Sequence, residues 1–186
     1  MNPIKNKKDL ETTIEEIRNF AYSYLEKYSP SKQQLRIYLF KKLIKKKHKI
    51  SSKKEIFNLI DSVITSLDDQ KLLSDKYYSD VKSKAFLKRG YSLNKIRYSL
   101  IKKGIDEKYI KASISKIKEN ESEPDFFSAI KICKKKRIGP ARDENNRPLF
   151  YKKDIGILAR SGFDFETSKR VMDLEKNEYL KIINLL

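Results

Sequence analysis

Leu35-Arg36-Ile37-Tyr38-Leu39-Phe40-Lys41-Lys42 returns further along the chain as Ile96-Arg97-Tyr98-Ser99-Leu100-Ile101-Lys102-Lys103, with most apolar and all Arg and Lys positions kept. A fainter third copy runs from Asp154 through Leu158 to Gly162-Phe163. A repeat of this size indicates stacked units rather than one core folded around a pocket.

Helical spacing dominates the surrounding sequence. Ile56, Leu59, Ile60, Val63, Ile64 and Leu67 form an apolar stripe with the helical period. Ser52 is placed to cap that helix, with Glu55 completing a capping box. Only five Gly and five Pro occur, and strict apolar/polar alternation is hard to find. The spacing predicts helices near 9–27, 31–47, 52–70, 75–89, 92–103, 106–119, 124–137, 148–160 and 165–176. Ser92, Asp106 and Asp164 read as N-caps or first-turn acids, and Gly90, Gly104 and Gly162 as helix stops.

These helices group in threes. The expected fold is all-α, with tandem three-helix, helix-turn-helix-like repeats over 15–74, 75–122 and 123–178. A flank over 1–14 precedes them, and an apolar tail over 179–186 is expected to pack back onto the body. Two departures from regularity stand out. The first repeat carries the insertion 45–51, and the third carries a loop over 139–148 whose turn formers predict mobility.

The chain of 186 residues holds 43 Lys and Arg against 25 Asp and Glu, for a net charge of +18 and a pI near 9.7. Lys outnumbers Arg 34 to 9, a sign of A/T-rich coding. Such a bias supplies Glu codons as readily as Lys codons, so it leaves the imbalance unexplained. A polyanionic partner is the first expectation and an anionic membrane surface the second. No apolar run nears the ~20 residues that span a bilayer, and the N-terminal residues lack an apolar secretory core. One cysteine, Cys133, excludes an intramolecular disulfide framework. A soluble, cytoplasmic monomer is expected.

Charge runs in phase with the repeat. Residues 31–54 hold ten Lys and Arg, 81–105 hold eight and 126–142 hold six, with no Asp or Glu in any of the three. Residues 55–80, by contrast, hold six acids against two bases. Like charges at helical spacing do not stabilise helices, so acid-free runs point to a partner. The candidate contacts are Arg36, Lys41, Lys42, Lys45, Lys46, Arg97, Lys102, Lys103, Lys135, Lys136, Arg137 and Arg142. Tyr38 and Tyr98 flank the repeated basic segments and are the best placed to stack on unpaired bases.

Catalytic chemistry has little foothold. His48 is the only histidine and sits in a Lys run, where a solvated role is expected. Cys133 reads as a small core residue. Asp68, Asp69, Asp75 and Asp80 cluster in sequence, but capping and loop roles account for them better than Mg²⁺ binding does. Phosphate-cradling Gly-rich loops are missing. The sequence predicts a binding protein with no catalysis, cofactor or metal.

Longer segments carry a resemblance. Leu67-Asp68-Asp69-Gln70-Lys71-Leu72-Leu73-Ser74-Asp75-Lys76-Tyr77-Tyr78 resembles the leucine-rich turn, Asp and aromatic junction of the RecX family of recombinase regulators. Residues 31–39 are similar to that family's first Ser-x-x-x-Leu-Arg-x-x-Leu helix. Arg89-Gly90-Tyr91-Ser92, Ile96-Arg97 and the run Leu100-Ile101-Lys102-Lys103-Gly104-Ile105-Asp106 resemble its second unit. Lys135 through Arg142 and Ala159-Arg160-Ser161-Gly162-Phe163-Asp164-Phe165 resemble its third. The likeness runs over roughly 15–176. It implies an all-helical protein of tandem three-helix units in an elongated, curved arrangement, which binds the RecA recombinase filament along its groove and reaches the DNA, single- or double-stranded. It further implies that filament growth, strand exchange, ATP hydrolysis and coprotease activity are hindered. The competing expectation is a helix-turn-helix reader of duplex DNA acting without a recombinase, with Gln33, Gln34 and Asn94 at helix starts as base readers.

Overall fold

The computed structural model describes the backbone of residues 7–45 and 52–186, with side chains from Ile14 onward among them. These residues form ten α-helices and no strand: α1 (Lys7–Leu25), α2 (Lys32–Lys45), α3 (Lys53–Asp69), α4 (Asp75–Lys88), α5 (Leu93–Ile101), α6 (Glu107–Asn120), α7 (Pro124–Lys136), α8 (Arg147–Arg160), α9 (Phe165–Met172) and α10 (Lys176–Leu185). The fold is all-α, as the periodicity predicts. Lys46 and His48 lie outside the described residues.

The caps read from sequence are in place. Ser52 Oγ accepts from the Glu55 N–H, Ser92 Oγ from Lys95, Asp106 from Lys108 and Asp164 from Thr167. Each satisfies one of the donors that a helix start leaves open. The predicted apolar stripe is the buried face of α3, with Ile56, Ile60, Val63, Ile64 and Leu67 inside. Asp68 and Asp69 close α3, inside the helix predicted over 52–70, and Asp68 pairs with Lys32 Nζ at 2.6 Å.

The chain packs as two compact units, Met1–Tyr78 with Lys103–Ile105, and Ser79–Lys102 with Asp106–Leu186. In the first, α1, α2 and α3 enclose Ile17, Leu35, Leu39, Ile60 and Leu67, each at or near zero exposure. A fully buried side chain of that size contributes about 1.5–3 kcal/mol. In the second unit, Ala129, Ile130, Cys133, Leu158, Val171 and Met172 form a core spanning α7, α8 and α9. The apolar tail is a helix, α10, and buries Tyr179 and Ile183 in that core. Small polar residues link α4 to α6: the Ser113 hydroxyl lies 2.7 Å from Asp80 Oδ1 and 2.9 Å from Ser79 Oγ, and Ser79 Oγ donates to the Tyr109 carbonyl.

A repeated junction explains why Lys103–Ile105 belongs to the first unit. The Ser31 hydroxyl, at the start of α2, donates to the Lys103 carbonyl, and Asp75 at the head of α4 accepts from the Lys32 N–H at 2.9 Å. The second unit repeats the arrangement with Ser92, Ser161, Asp125 and the Leu93 N–H. The residues after the two carbonyls are Gly104 and Gly162, at φ +75° and +90°. A Cβ on Gly104 would stand 2.5 Å from the Gln33 Cβ, and one on Gly162 would stand 2.5 Å from Ser92 Oγ. The glycines are therefore required twice, by conformation and by close approach. Burial raises the carboxyls of Asp75 and Asp125, against the lowering effect of the backbone N–H that each accepts.

The 139–148 loop departs from its sequence reading. Gly139–Ala141 and Glu144–Asn146 form 3₁₀ turns, and Gly139 and Pro140 are buried. Asp154, fully buried on α8, accepts from the Gly139 N–H and from both Nε and Nη2 of Arg142 at 2.6 and 2.9 Å. Arg147 adds 2.7 Å bonds to the Met172 and Leu174 carbonyls. Turn-forming composition signalled irregular backbone correctly, but an internal ion pair gives this segment specific anchors.

Candidate binding surface

Arg36 and Arg97, which recur in the sequence repeat, each brace their own helix to the next one. Arg36 on α2 meets Asp61 of α3 at 2.6 Å, and Arg97 on α5 meets Glu107 of α6 at 2.8 Å. The Glu107 hydrogen bond and charge raise the Arg97 guanidinium further above its ordinary value. The Arg36 guanidinium also covers the Phe57 ring at 4.7 Å, and Phe57 stacks on Phe40 at 4.4 Å. Half-exposed pairs of this kind are weak and screened by salt, yet they orient the side chain toward the next helix.

The lysines of the repeat behave differently. Lys41, Lys42 and Lys45 are exposed in the last two turns of α2, and Lys102 is exposed at the end of α5. Lys42 lies 5.7 Å from the Tyr38 ring and 5.9 Å from Phe20. Lys103 is half-buried, with its carbonyl in the Ser31 junction. Lys135 and Lys136 are exposed in the last turn of α7, and Arg137 is its left-handed C-cap. Cations at a helix C-terminus complement the dipole there and remain available to phosphates.

Arg142 belongs to another category. Burial would raise the Asp154 carboxyl, but the Arg142 hydrogen bonds and the Gly139 N–H outweigh that and hold it below the ordinary range. Arg142 is thus committed to a buried partner, which the sequence reading missed. The available signal was the register: Asp154 falls where the first two copies have Leu35 and Ile96, so an acid sits at a core position. The third basic run also falls on α7, the first helix of its group, whereas in the first two groups the run includes the second helix.

Two more sequence candidates are resolved by geometry. Tyr38 stacks on Tyr24 at 4.0 Å, which occupies one ring face, while Tyr98 is 62% exposed. Of the three potential base readers, Gln34 and Asn94 have polar partners within the fold, while Gln33 is exposed. Gln34 accepts from the Ser31 N–H, Gln33 packs against Gly104, and Asn94 Nδ2 lies 3.4 Å from the Gly162 carbonyl. Cys133 is fully buried, and burial together with the Asp154 charge pushes its thiol up to about 12, which keeps it protonated. Among the described residues, no group of three or more His, Cys, Asp or Glu side chains is placed to hold a metal ion. None of the described helices is long and apolar enough to cross a membrane.

No protein-family model matches the chain. The regulatory protein RecX of Myxococcus xanthus is 29% identical over 160 residues, which cover 84% of each protein. The regulatory protein RecX of Clostridium perfringens strain 13 is 30% identical over 123 residues, 66% of this chain and 56% of that protein. The crystal structure of RecX from Lactobacillus salivarius superposes with a TM-score of 0.61 at 18% identity, covering 93% of this chain and 97% of that one. A second crystal structure of a regulatory protein RecX gives 0.61 at 20% identity, covering 91% and 78%. The solved structures share the all-helical fold, and over most of its length the chain is similar in sequence to regulatory proteins named RecX.

Proposed function

We propose that this protein regulates the RecA recombinase by binding the RecA filament on DNA, lying in its groove and hindering its growth. Recombinase, ATPase and coprotease activities fall as a result. The carrying observation is that exposed lysines recur at matching places, Lys41 and Lys42 on α2 and Lys102 on α5, in a protein similar to regulatory proteins named RecX. Phosphate contacts from these cations add a sequence-independent, salt-sensitive contribution to affinity on single- or double-stranded DNA. Several modest contacts on one protein gain through effective concentration when the target is itself periodic. The protein works as a cytoplasmic monomer without a cofactor or catalysis of its own.

The duplex-reading alternative has less support, since Gln34 and Asn94, two of its three readers, have partners within the fold. The deciding experiment titrates the protein into the DNA-dependent ATPase of the cognate recombinase. Loss of ATPase at well below one molecule per protomer is expected; unchanged ATPase at saturation rejects the reading.

A further inference from the structure

In the first unit, α2 and α3 border a groove of about 400 Å³ lined by Arg36, Ile37, Phe40, Lys41, Ile44 and Phe57, with Gln33 and Lys45 beside them. Ile37 and Ile44 stand seven residues apart, on one face of α2, and are 45% and 49% exposed. Two large aliphatic side chains on one helix face, left to water beside a concavity, form a place for an apolar group. The charged residues lining the groove are all cations, Arg36, Lys41 and Lys45. The nearby acid Asp61 is already paired with Arg36.

Charge and shape together select the occupant. A second copy of this chain would bring +18 of like charge to the same surface. The continuation of the chain beyond Lys45 holds Lys46, Lys47 and Lys49 and no acid, so it supplies no counter-charge either. Unpaired bases need a flat ring face to stack on. Here Phe40 and Phe57 stack on each other and Arg36 covers Phe57, so the groove's aromatic faces are engaged within the fold. We infer that the groove docks a short acidic segment of a partner protein, inserting one Leu- or Phe-sized side chain between Ile37 and Ile44 while its carboxylates meet Lys41 and Lys45. This inference is independent of the filament reading, and its test contains no recombinase, so the two stand or fall separately.

The probe is a fluorescein-labelled peptide, Glu-Asp-Glu-Leu-Phe-Glu-Asp-Glu, titrated with the full chain by anisotropy at low salt. Binding is expected to weaken on the order of tenfold when Leu and Phe in the peptide become Ala, the scale of one buried apolar side chain. Ile37→Ser and Ile44→Ser should each cause a comparable loss, and Lys41→Glu a loss that salt diminishes. Leu149→Ser, at an exposed position on α8, should leave binding unchanged. Circular dichroism and thermal melting confirm that each variant is folded, as expected for exposed positions. Equal binding of the Ala peptide, indifference to both Ile substitutions, or no binding would overturn the proposal. So would a labelled dT20 oligonucleotide whose binding is lost in Ile37→Ser, or a sedimenting dimer abolished by the same change.

Discussion

The Ser31 hydroxyl lies 2.6 Å from the Lys103 carbonyl oxygen, joining the start of α2 to the Lys103–Ile105 turn across 72 residues of chain. The same hydroxyl accepts from the Gln34 N–H, so one side chain both caps a helix and fastens a distant turn. Ser92 has the same double role, accepting from the Lys95 N–H and donating to the Ser161 carbonyl. Ser31→Ala and Ser92→Ala should each destabilise by about 1–2 kcal/mol, combining a missing cap with a carbonyl left unpaired in a buried place. The two sites share no partner, and urea melts of the single and double variants should show additive losses.

Glycine substitutions separate conformation from spacing. Gly104→Ala and Gly162→Ala each force a left-handed backbone on an L residue, at about 1–2 kcal/mol, before the close approaches to Gln33 and Ser92 are counted. Gly156→Ala, inside α8, meets only the flexible end of Arg160 at 3.3 Å and should stabilise by about 0.5–1 kcal/mol. Denaturant midpoints measured side by side check the opposite signs.

Arg142 and Asp154 form the pair most sensitive to truncation. Arg142→Met leaves a fully buried carboxylate without its cation and should destabilise at neutral pH by about 3–5 kcal/mol. Adding Asp154→Leu should recover most of that loss, because Leu35 and Ile96 fill the same register in the first two copies. Thermal denaturation of the three proteins is the check.

The same pair sets a pH dependence of known sign. Asp154 has a depressed carboxyl in the folded protein, so its contribution is present above the unfolded carboxylate value of about 3.9 and is lost as pH falls through the folded one. In Arg142→Met, burial dominates and the direction reverses, so lowering the pH relieves the variant. The stability gap between wild type and variant should therefore shrink between neutral and acid pH. Asp75 and Asp125, raised by burial, lose stability as pH rises, but they do so in both proteins and drop out of the difference.

For DNA, the lysines of the repeat should matter more than its arginines. Lys41→Gln and Lys102→Gln should each lower the slope of log affinity against log salt by about 0.7–0.9 for each phosphate that the lysine neutralises. Arg36→Gln and Arg97→Gln, which break ion pairs to the next helix, should affect stability more than that slope. Filter binding to single-stranded oligonucleotides over a salt series distinguishes the two effects.

Helix positions were legible in the sequence because their determinants are local: Ser52, Asp106 and Asp164 cap where they stand, and the Ile56–Leu67 stripe buries as its period dictates. Partners distant in sequence were not legible. Nothing near Arg36 or Arg97 names Asp61 or Glu107, and charge counting treats a braced arginine like a free one. Ser92 is legible as a cap without its second bond, since a hydroxyl's other partner lies far along the chain. Asp154 was the detectable exception, an acid occupying a core register.

The Ser-and-Gly junction has a direction, and only the middle copy of the repeat holds both of its halves. It offers the Ser92 hydroxyl on one side and the Lys103 carbonyl with Gly104 on the other. The first copy supplies a hydroxyl, Ser31, but has buried Leu43 where the glycine would be. The third copy supplies Ser161 and Gly162, but α8 starts a turn early, and its N-cap Asn146 makes no side-chain cap bond. The middle copy is therefore the one compatible with itself, like a tile with both edges cut, and tandem duplication of that stretch would lengthen the protein without inventing a new seam.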